Sequence, residues 1–325
     1  MRTNRHNIHI CAWAVAAVVA LASCDYKDIG PGHETVQRGQ PVELRFDFSR
    51  VDSVPASYSI MFYPAGDKAR SFRRDVTASD QTILLPVGDY AVTAWNNDTP
   101  HVLVEEQDDR DRVSATTFGL ETRTEISAES VLDSIFGGQK LYDWPDYLTK
   151  ANVEEFAVDE DTEVQPVLTL TPDSATVTVH YRIGGVKGLG WCYRVKGAQN
   201  NVWGRRFLAY EEKGSDAVSV MFESGYDEKE ETVFGEYQIF GLADGGQAMQ
   251  DRDRLVLFFW LQNGNGGYVP IDITRALAPY RNRTVRHIYI DIPDLDVNLI
   301  DFLDGDDAFN IDINEWQNVN IDIRI

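Results

Sequence analysis

The chain has 325 residues, 52 of them acidic and 30 basic, for a formal net charge of -22. A surface with that acidic excess and no basic stripe repels phosphate backbones, which argues against nucleic acid as a partner and favours solubility. The length is generous for one hydrophobic core and comfortable for two.

In chain order, the first predicted element is a processing signal. Arg2 and Arg5 precede a small and apolar run from Ile10 to Ala22, which closes in Leu21-Ala22-Ser23-Cys24. A basic start, an apolar run too short to span a bilayer comfortably and small residues at the cut read as an export signal over residues 1–23. Leu-Ala-Ser-Cys resembles the lipobox of bacterial lipoproteins, in which the Cys thiol is diacylated, the signal is cut before it and the new amino terminus is acylated. The resemblance implies a mature chain that begins at Cys24 and hangs from a membrane by lipid. One acyl chain holds only marginally, at about 0.8 kcal/mol per buried methylene, so several chains on one residue make a durable tether.

Residues 24–40 are polar and punctuated by Gly and Pro, and predict a flexible tether that contains the basic site Arg38-Gly39. Cys11 leaves with the signal and Cys24 is taken by lipid, so Cys192 is left without an intrachain partner. It is expected as a small buried hydrophobe, and the fold must be held by packing.

A first domain is expected over residues 41–165. Val42, Leu44, Phe46 and Phe48 alternate with Glu43, Arg45 and Asp47, the period of a half-buried strand. Tyr58 to Tyr63 and Thr82 to Leu85 continue as short strands. Leu85-Pro86-Val87-Gly88 then turns the chain into a strand from Tyr90 to Asn97. Ser127 to Ser130 could open a short helix, and Asp143-Trp144-Pro145 reads as a loop. The acidic stretch Val158 to Val164, ending at Pro166, marks the boundary.

The second domain is expected over residues 166–325. Val177, Val179, Tyr181 and Ile183 alternate with polar residues, Gly184-Gly185 turns the chain, and a strand follows from Trp191. Leu255 to Leu261 is a continuous apolar run, short enough to be a strand covered on both faces. Asn263 to Gly267 should turn it into a hairpin with Tyr268-Val269, and Ile271 to Leu277 should form a helical turn. Val319, Ile321, Ile323 and Ile325 alternate with polar residues to the last position, which implies that this terminal strand lies in a sheet. Many strands with few helices predict β-sandwiches in both halves.

Catalytic and metal-binding patterns are not found. His33, His101, His180 and His287 fall in the tether, a loop and two strands without ligand spacing, and a solvated role is expected for the last two. The acidic segment from Asp301 to Asp312 does not follow the order of a calcium loop. No cofactor, metal or enzymatic activity is expected. Most tryptophans, Trp95 and Trp191 among them, lie in or near strands where a core role is the default. Trp144, in its Pro-containing loop, is the one aromatic expected to face a ligand.

The lipobox, the tether and two β-domains resemble the exported lipoproteins of Bacteroides-type bacteria. Within these, Leu85-Pro86-Val87-Gly88-Asp89-Tyr90 through Ala94-Trp95-Asn96-Asn97 is similar to a strand motif of fimbrillin-like proteins. The resemblance implies two tandem transthyretin-like β-sandwich domains and a place in the fimbrial system, as an anchor or as a shaft or tip subunit. Subunits of that family join by strand addition, so Val319, Ile321, Ile323 and Ile325 become the candidate interaction strand, the alternative being that this strand completes its own second domain. Proteolysis after Arg38 would mark a trimmed subunit, whereas an anchor would keep its lipid at the outer membrane, facing the cell surface. The partners so implied are the membrane, through the lipid, and other fimbrial subunits or a surface ligand. A glycan-binding lipoprotein of a polysaccharide-uptake system is the alternative.

Overall fold

The structure is a computed structural model, and it describes residues 39–66, 68–120, 135–160, 164–211, 216–244 and 249–303. The helix expected near Ser127 lies outside these residues.

The alternation after Pro41 forms β1 (Gln40–Phe46), in which Val42 and Leu44 are fully buried. The next runs form β2 (Ser57–Pro64), β3 (Phe72–Thr77), β4 (Gln81–Leu85) and β5 (Gly88–Asn96). β2 pairs antiparallel with both β3 and β5, while β1 pairs antiparallel with β4. β6 (Val102–Glu105) and β7 (Ser114–Thr117) make a separate antiparallel pair, and β8 (Leu141–Asp143) follows. β9 (Thr149–Val158) lies against β5 with a register shift between Tyr90 and Val92.

β10 (Val167–Leu170) and β11 (Asp173–Ser174) correct one expectation. The strand after the acidic stretch does not open the second half. It runs parallel to β1, with Leu168 opposite Leu44, and β11 pairs with β9. The reason is burial: Leu168 and Leu170 complete the core already lined by Val42, Leu44, Tyr58, Ile60, Phe62 and Val92. That core is closed by a three-stranded sheet, β10-β1-β4, and a five-stranded sheet, β11-β9-β5-β2-β3.

The second half contains β12 (Val177–Ile183), β13 (Val186–Lys187), β14 (Cys192–Trp203), β15 (Arg205–Phe207), β16 (Ala217–Asp227) and β17 (Thr232–Ile239). β18 (Arg254–Leu261), β19 (Gly266–Asp272), the helical turn α1 (Thr274–Leu277), β20 (His287–Ile292) and β21 (Val297–Asn298) complete it. Its main sheet runs β19-β18-β14-β16-β17-β12-β20, with β8 beside β16. Residues up to Ser224 of β16 pair with β14, and Gly225 to Asp227 pair with β17. One strand thus serves both walls, as happens where a sandwich turns a corner. Tyr181, Val195, Phe222, Tyr237, Leu257 and Phe259 fill the space between the walls.

The run from Leu255 to Leu261 is covered on both faces, as its composition suggests. Leu255, Leu257, Phe259 and Leu261 enter this second core, while Val256, Phe258 and Trp260 join Ile135, Phe136, Met221 and Tyr268 on the other side. The hairpin after it forms as expected, with Gly264 at φ 88 and β18 antiparallel to β19.

A further core joins the two halves. Met61 and Tyr63 alternate with Ile60 and Phe62 along β2 and therefore face the opposite side of the sheet. With Trp95, Val113 and Ala115 they pack against Trp203, Leu208, Ala217 and Phe240 from the second half. β7 pairs with β6 on one side and β15 on the other, so a small sheet is also shared between the halves.

Packing is tight at glycines within the second core. A Cβ built on Gly197 would lie 2.1 Å from Cε2 of Phe222, whose ring stacks on Tyr237 with centroids 3.6 Å apart. Gly197→Ala is expected to cost about 1–3 kcal/mol through overpacking, read as a lower midpoint in chemical denaturation; an unchanged midpoint would mean that the ring moves aside freely.

Candidate functional site

The segment from Leu85 to Asn97 is built for packing. Gly88 takes φ 152 at the turn, and the Tyr90 hydroxyl donates back to the Pro86 carbonyl at 2.9 Å. Trp95 is buried in the core shared by the halves. Asn96, also buried, accepts the Thr149 N–H at 2.7 Å and donates to the Asp98 carboxylate at 2.8 Å and the Tyr147 carbonyl at 3.1 Å. The Trp-Asn pair therefore aims an indole at the second half and fastens β5 to the start of β9.

The two ends of the described fold show where the outlying segments join it. The N-terminal end is Gly39, directly after Arg38, and Gln40 already pairs with Leu85. A Cβ on Gly39 would stand 3.0 Å from Cβ of Leu84, so the backbone is pressed against β4 from the outset. At the other end, the Leu303 carbonyl accepts from the side-chain amides of Asn263, at 3.4 Å, and Asn265, at 3.3 Å. The described fold thus ends beside the tip of the β18–β19 hairpin. Cys24, Arg38, Val319, Ile321, Ile323 and Ile325 all lie outside the described residues.

The aromatics are arranged differently from the sequence reading. Trp144 is half-buried and packs on the second core, its ring 5.9 Å from that of His101. His101 is in turn held by Asp146, whose carboxylate takes the His101 backbone N–H at 2.6 Å and stands 3.0 Å from Nδ1. Trp191, expected in the core, is 49% exposed, and nearby Tyr193 is 61% exposed. Trp191 ends a short turn, Leu189–Trp191, whose inward residue is Leu189, so the indole is left outside. Periodicity could not show this, because a three-residue turn interrupts the alternation.

His180 and His287 are not separately solvated. They lie side by side on β12 and β20, with His180 Nε2 3.1 Å from His287 Nδ1. Their sequence separation hides the pairing, which only the parallel register of the two strands produces. Among the described residues, no group of three or more His, Cys, Asp and Glu side chains is placed to hold a metal ion.

Sequence reasoning also missed a buried ion pair. Arg281 binds the carboxylate of Asp253, which is 1% exposed and also receives the Asn201 side-chain amide at 3.0 Å. Arg281 further donates to the Ala243 carbonyl. These residues come from separate connections and β14, so no local pattern marks them, and they brace the second half.

The sandwiches and their shared core define an all-β module held by packing. The chain belongs to the family described as a domain of unknown function, DUF5119, whose model matches residues 23–223. It is 21% identical over 249 residues to a Bacteroides ovatus protein proposed as a fimbrium anchoring subunit, Fim4B, covering 72% of this chain and 68% of that one. Among solved structures, a proposed adhesin from Bacteroides ovatus has the same fold, with a TM-score of 0.57 at 17% identity over 80% of this chain and 92% of that one. The fimbrial anchor protein Mfa2 from Porphyromonas gingivalis overlaps more loosely, with a TM-score of 0.43 at 14% identity over 78% and 89%.

Cys192 is buried and free, and burial first, then the charge of Glu228, pushes its thiol up to about 12. The thiol therefore stays neutral far above neutral pH, and only a thiolate reacts as a nucleophile. In the folded protein at about pH 8, a maleimide should leave Cys192 unlabelled and should label it after denaturation. Peptide mass spectrometry reads this directly, and rapid labelling of the native protein at Cys192 would contradict its placement.

Proposed function

We propose that this chain is a non-enzymatic, lipid-anchored surface protein that anchors a fimbria or forms part of one. The observation that carries the reading is the similarity to the proposed fimbrium anchoring subunit over most of both chains. The lipobox supports it, because Cys24 falls inside the family match over residues 23–223. By this reading Cys24 carries the lipid, the protein sits on the outer membrane facing outward, and the two sandwiches are its two domains, of transthyretin-like type.

Arg38 then decides between two fates. The described fold starts one residue later, so a cut after Arg38 removes the lipid and leaves β1 whole. An uncut chain stays anchored, which is the fate we assign to it.

Assembly proceeds through the last strand. Val319, Ile321, Ile323 and Ile325 carry an apolar face that only a sheet can cover, and the chain leads to them from the hairpin tip at Leu303. Exposed Trp191 and Tyr193 favour a second reading, in which the protein binds a glycan by ring stacking.

Cys24→Ala should move the protein from the membrane to the soluble fraction in detergent-free fractionation; continued membrane retention would refute the lipid anchor. Deletion of residues 319–325 should abolish co-purification with fimbrial subunits while the melting curve of the remainder persists. A truncated protein that still assembles would refute the strand-addition role, and binding of a surface polysaccharide that is lost in Trp191→Ala would favour the glycan reading.

A further inference from the structure

The paired histidines carry an inference independent of any role in fimbriae. His180 on β12 and His287 on β20 are both partly exposed on their sheet. In the parallel register Thr178 stands opposite His287 and His180 opposite Tyr289. The two histidines are therefore diagonal neighbours, which brings His180 Nε2 and His287 Nδ1 to 3.1 Å. The other nitrogen of each ring faces a carboxylate. His180 Nδ1 is 3.2 Å from Glu236 on β17, and His287 Nε2 is 3.3 Å from Asp52 in the connection between β1 and β2.

The inner contact is a hydrogen bond when either ring donates there, whereas a carboxylate beside each outer nitrogen favours the tautomer whose N–H lies outermost. With both neutral rings in that tautomer, the two inner nitrogens present lone pairs to each other. Two acceptors at that distance repel unless a cation stands between them. A carboxylate behind each imidazole, with the opposite nitrogen left free, is the arrangement that orients histidines which ligate metals and raises their basicity.

We propose that His180 Nε2 and His287 Nδ1 bind a divalent transition-metal ion of the zinc or copper class, for which imidazole is a well-matched ligand. Glu236 and Asp52 orient the two rings, and water completes the coordination. Metal–nitrogen bonds of about 2.0–2.1 Å in a tetrahedral shell place two ligand nitrogens about 3.3 Å apart, so the gap must widen by about 0.2 Å. The rings now meet edge to edge, with centroids 5.4 Å apart and planes at 24°, and each must also tilt. Their side chains are 30% and 35% exposed, which leaves room for the tilt and gives water access. Tyr289 stacks on His180 at 4.8 Å and covers one face of that ring.

With two protein ligands, the ion exchanges with solvent more readily than one in a closed structural site. Its position gives it a mechanical role. Asp52 belongs to the first half, where its N–H donates to the Tyr147 hydroxyl at 3.1 Å, while both histidines and Glu236 belong to the second. Drawing Asp52 onto a metal-bound imidazole strengthens a tie between the halves.

Isothermal titration of the metal-free full chain with zinc chloride tests this. The wild type should bind one zinc ion more per chain than His180→Ala or His287→Ala, and Asp52→Asn or Glu236→Gln should weaken that uptake by about 10–100-fold. Zinc uptake that is absent from the wild type, or unchanged in both alanine variants, overturns the proposal. A second measurement needs no folded alanine variant: in carbon–proton spectra of the wild type, the ring signals of His180 and His287 should shift with zinc. Signals that follow pH and ignore zinc would assign the gap to a proton alone and overturn the metal site.

Discussion

Strand β2 has no solvent-facing side: every residue from Tyr58 to Tyr63 is buried, alternate side chains entering different cores. Tyr58, Ile60 and Phe62 close the first sandwich, while Met61 and Tyr63 reach across to Trp203 and Phe240 in the second half. A large apolar side chain moved from water into such a core contributes about 1.5–3 kcal/mol, so the doubly covered strand concentrates much of the stabilisation in a few residues. With Cys192 free and buried, no covalent link at that residue assists. Trp95 and Asn96 extend the same arrangement along β5, one into the shared core and the other onto the beginning of β9.

That constraint bears on function through the positions of the chain ends. The described fold begins at Gly39 against β4 and ends at Leu303 on the β18–β19 hairpin, so the segments proposed to carry lipid and partner join a body whose halves are packed together. The buried Arg281–Asp253 pair and the Asp52–His287 contact act at different places in the same body. Removing one member of a buried pair typically costs about 3–5 kcal/mol, because it leaves a charge without compensation.

Much of the strand content is legible in the sequence wherever one face is buried and the other is wet, as in β1 and β12, or where a long apolar run meets a glycine-rich turn, as in β18 and β19. Legibility fails where burial is two-sided or partners are distant. Over Ala217–Phe222 of β16 both faces are covered, which erases the alternation. β10 shows a strand signal, yet only the core lined by Val42 and Leu44 decides that it joins β1. The shared core cannot be read from β2, because a fully buried strand does not reveal that its faces serve different cores. The exposure of Trp191 and the meeting of His180 with His287 depend on a short turn and on a parallel register, and neither leaves a local pattern. The processing signal expected over residues 1–23 lies outside the described residues.

The shared core makes the two sandwiches one cooperative body. Scanning calorimetry of the full chain, compared with the enthalpy derived from the shape of its own unfolding curve, tests that claim most directly. A single transition with the two enthalpies equal is the expected result. Two resolved transitions, or a calorimetric enthalpy about twice the fitted one, would show that the halves unfold independently and would contradict the account.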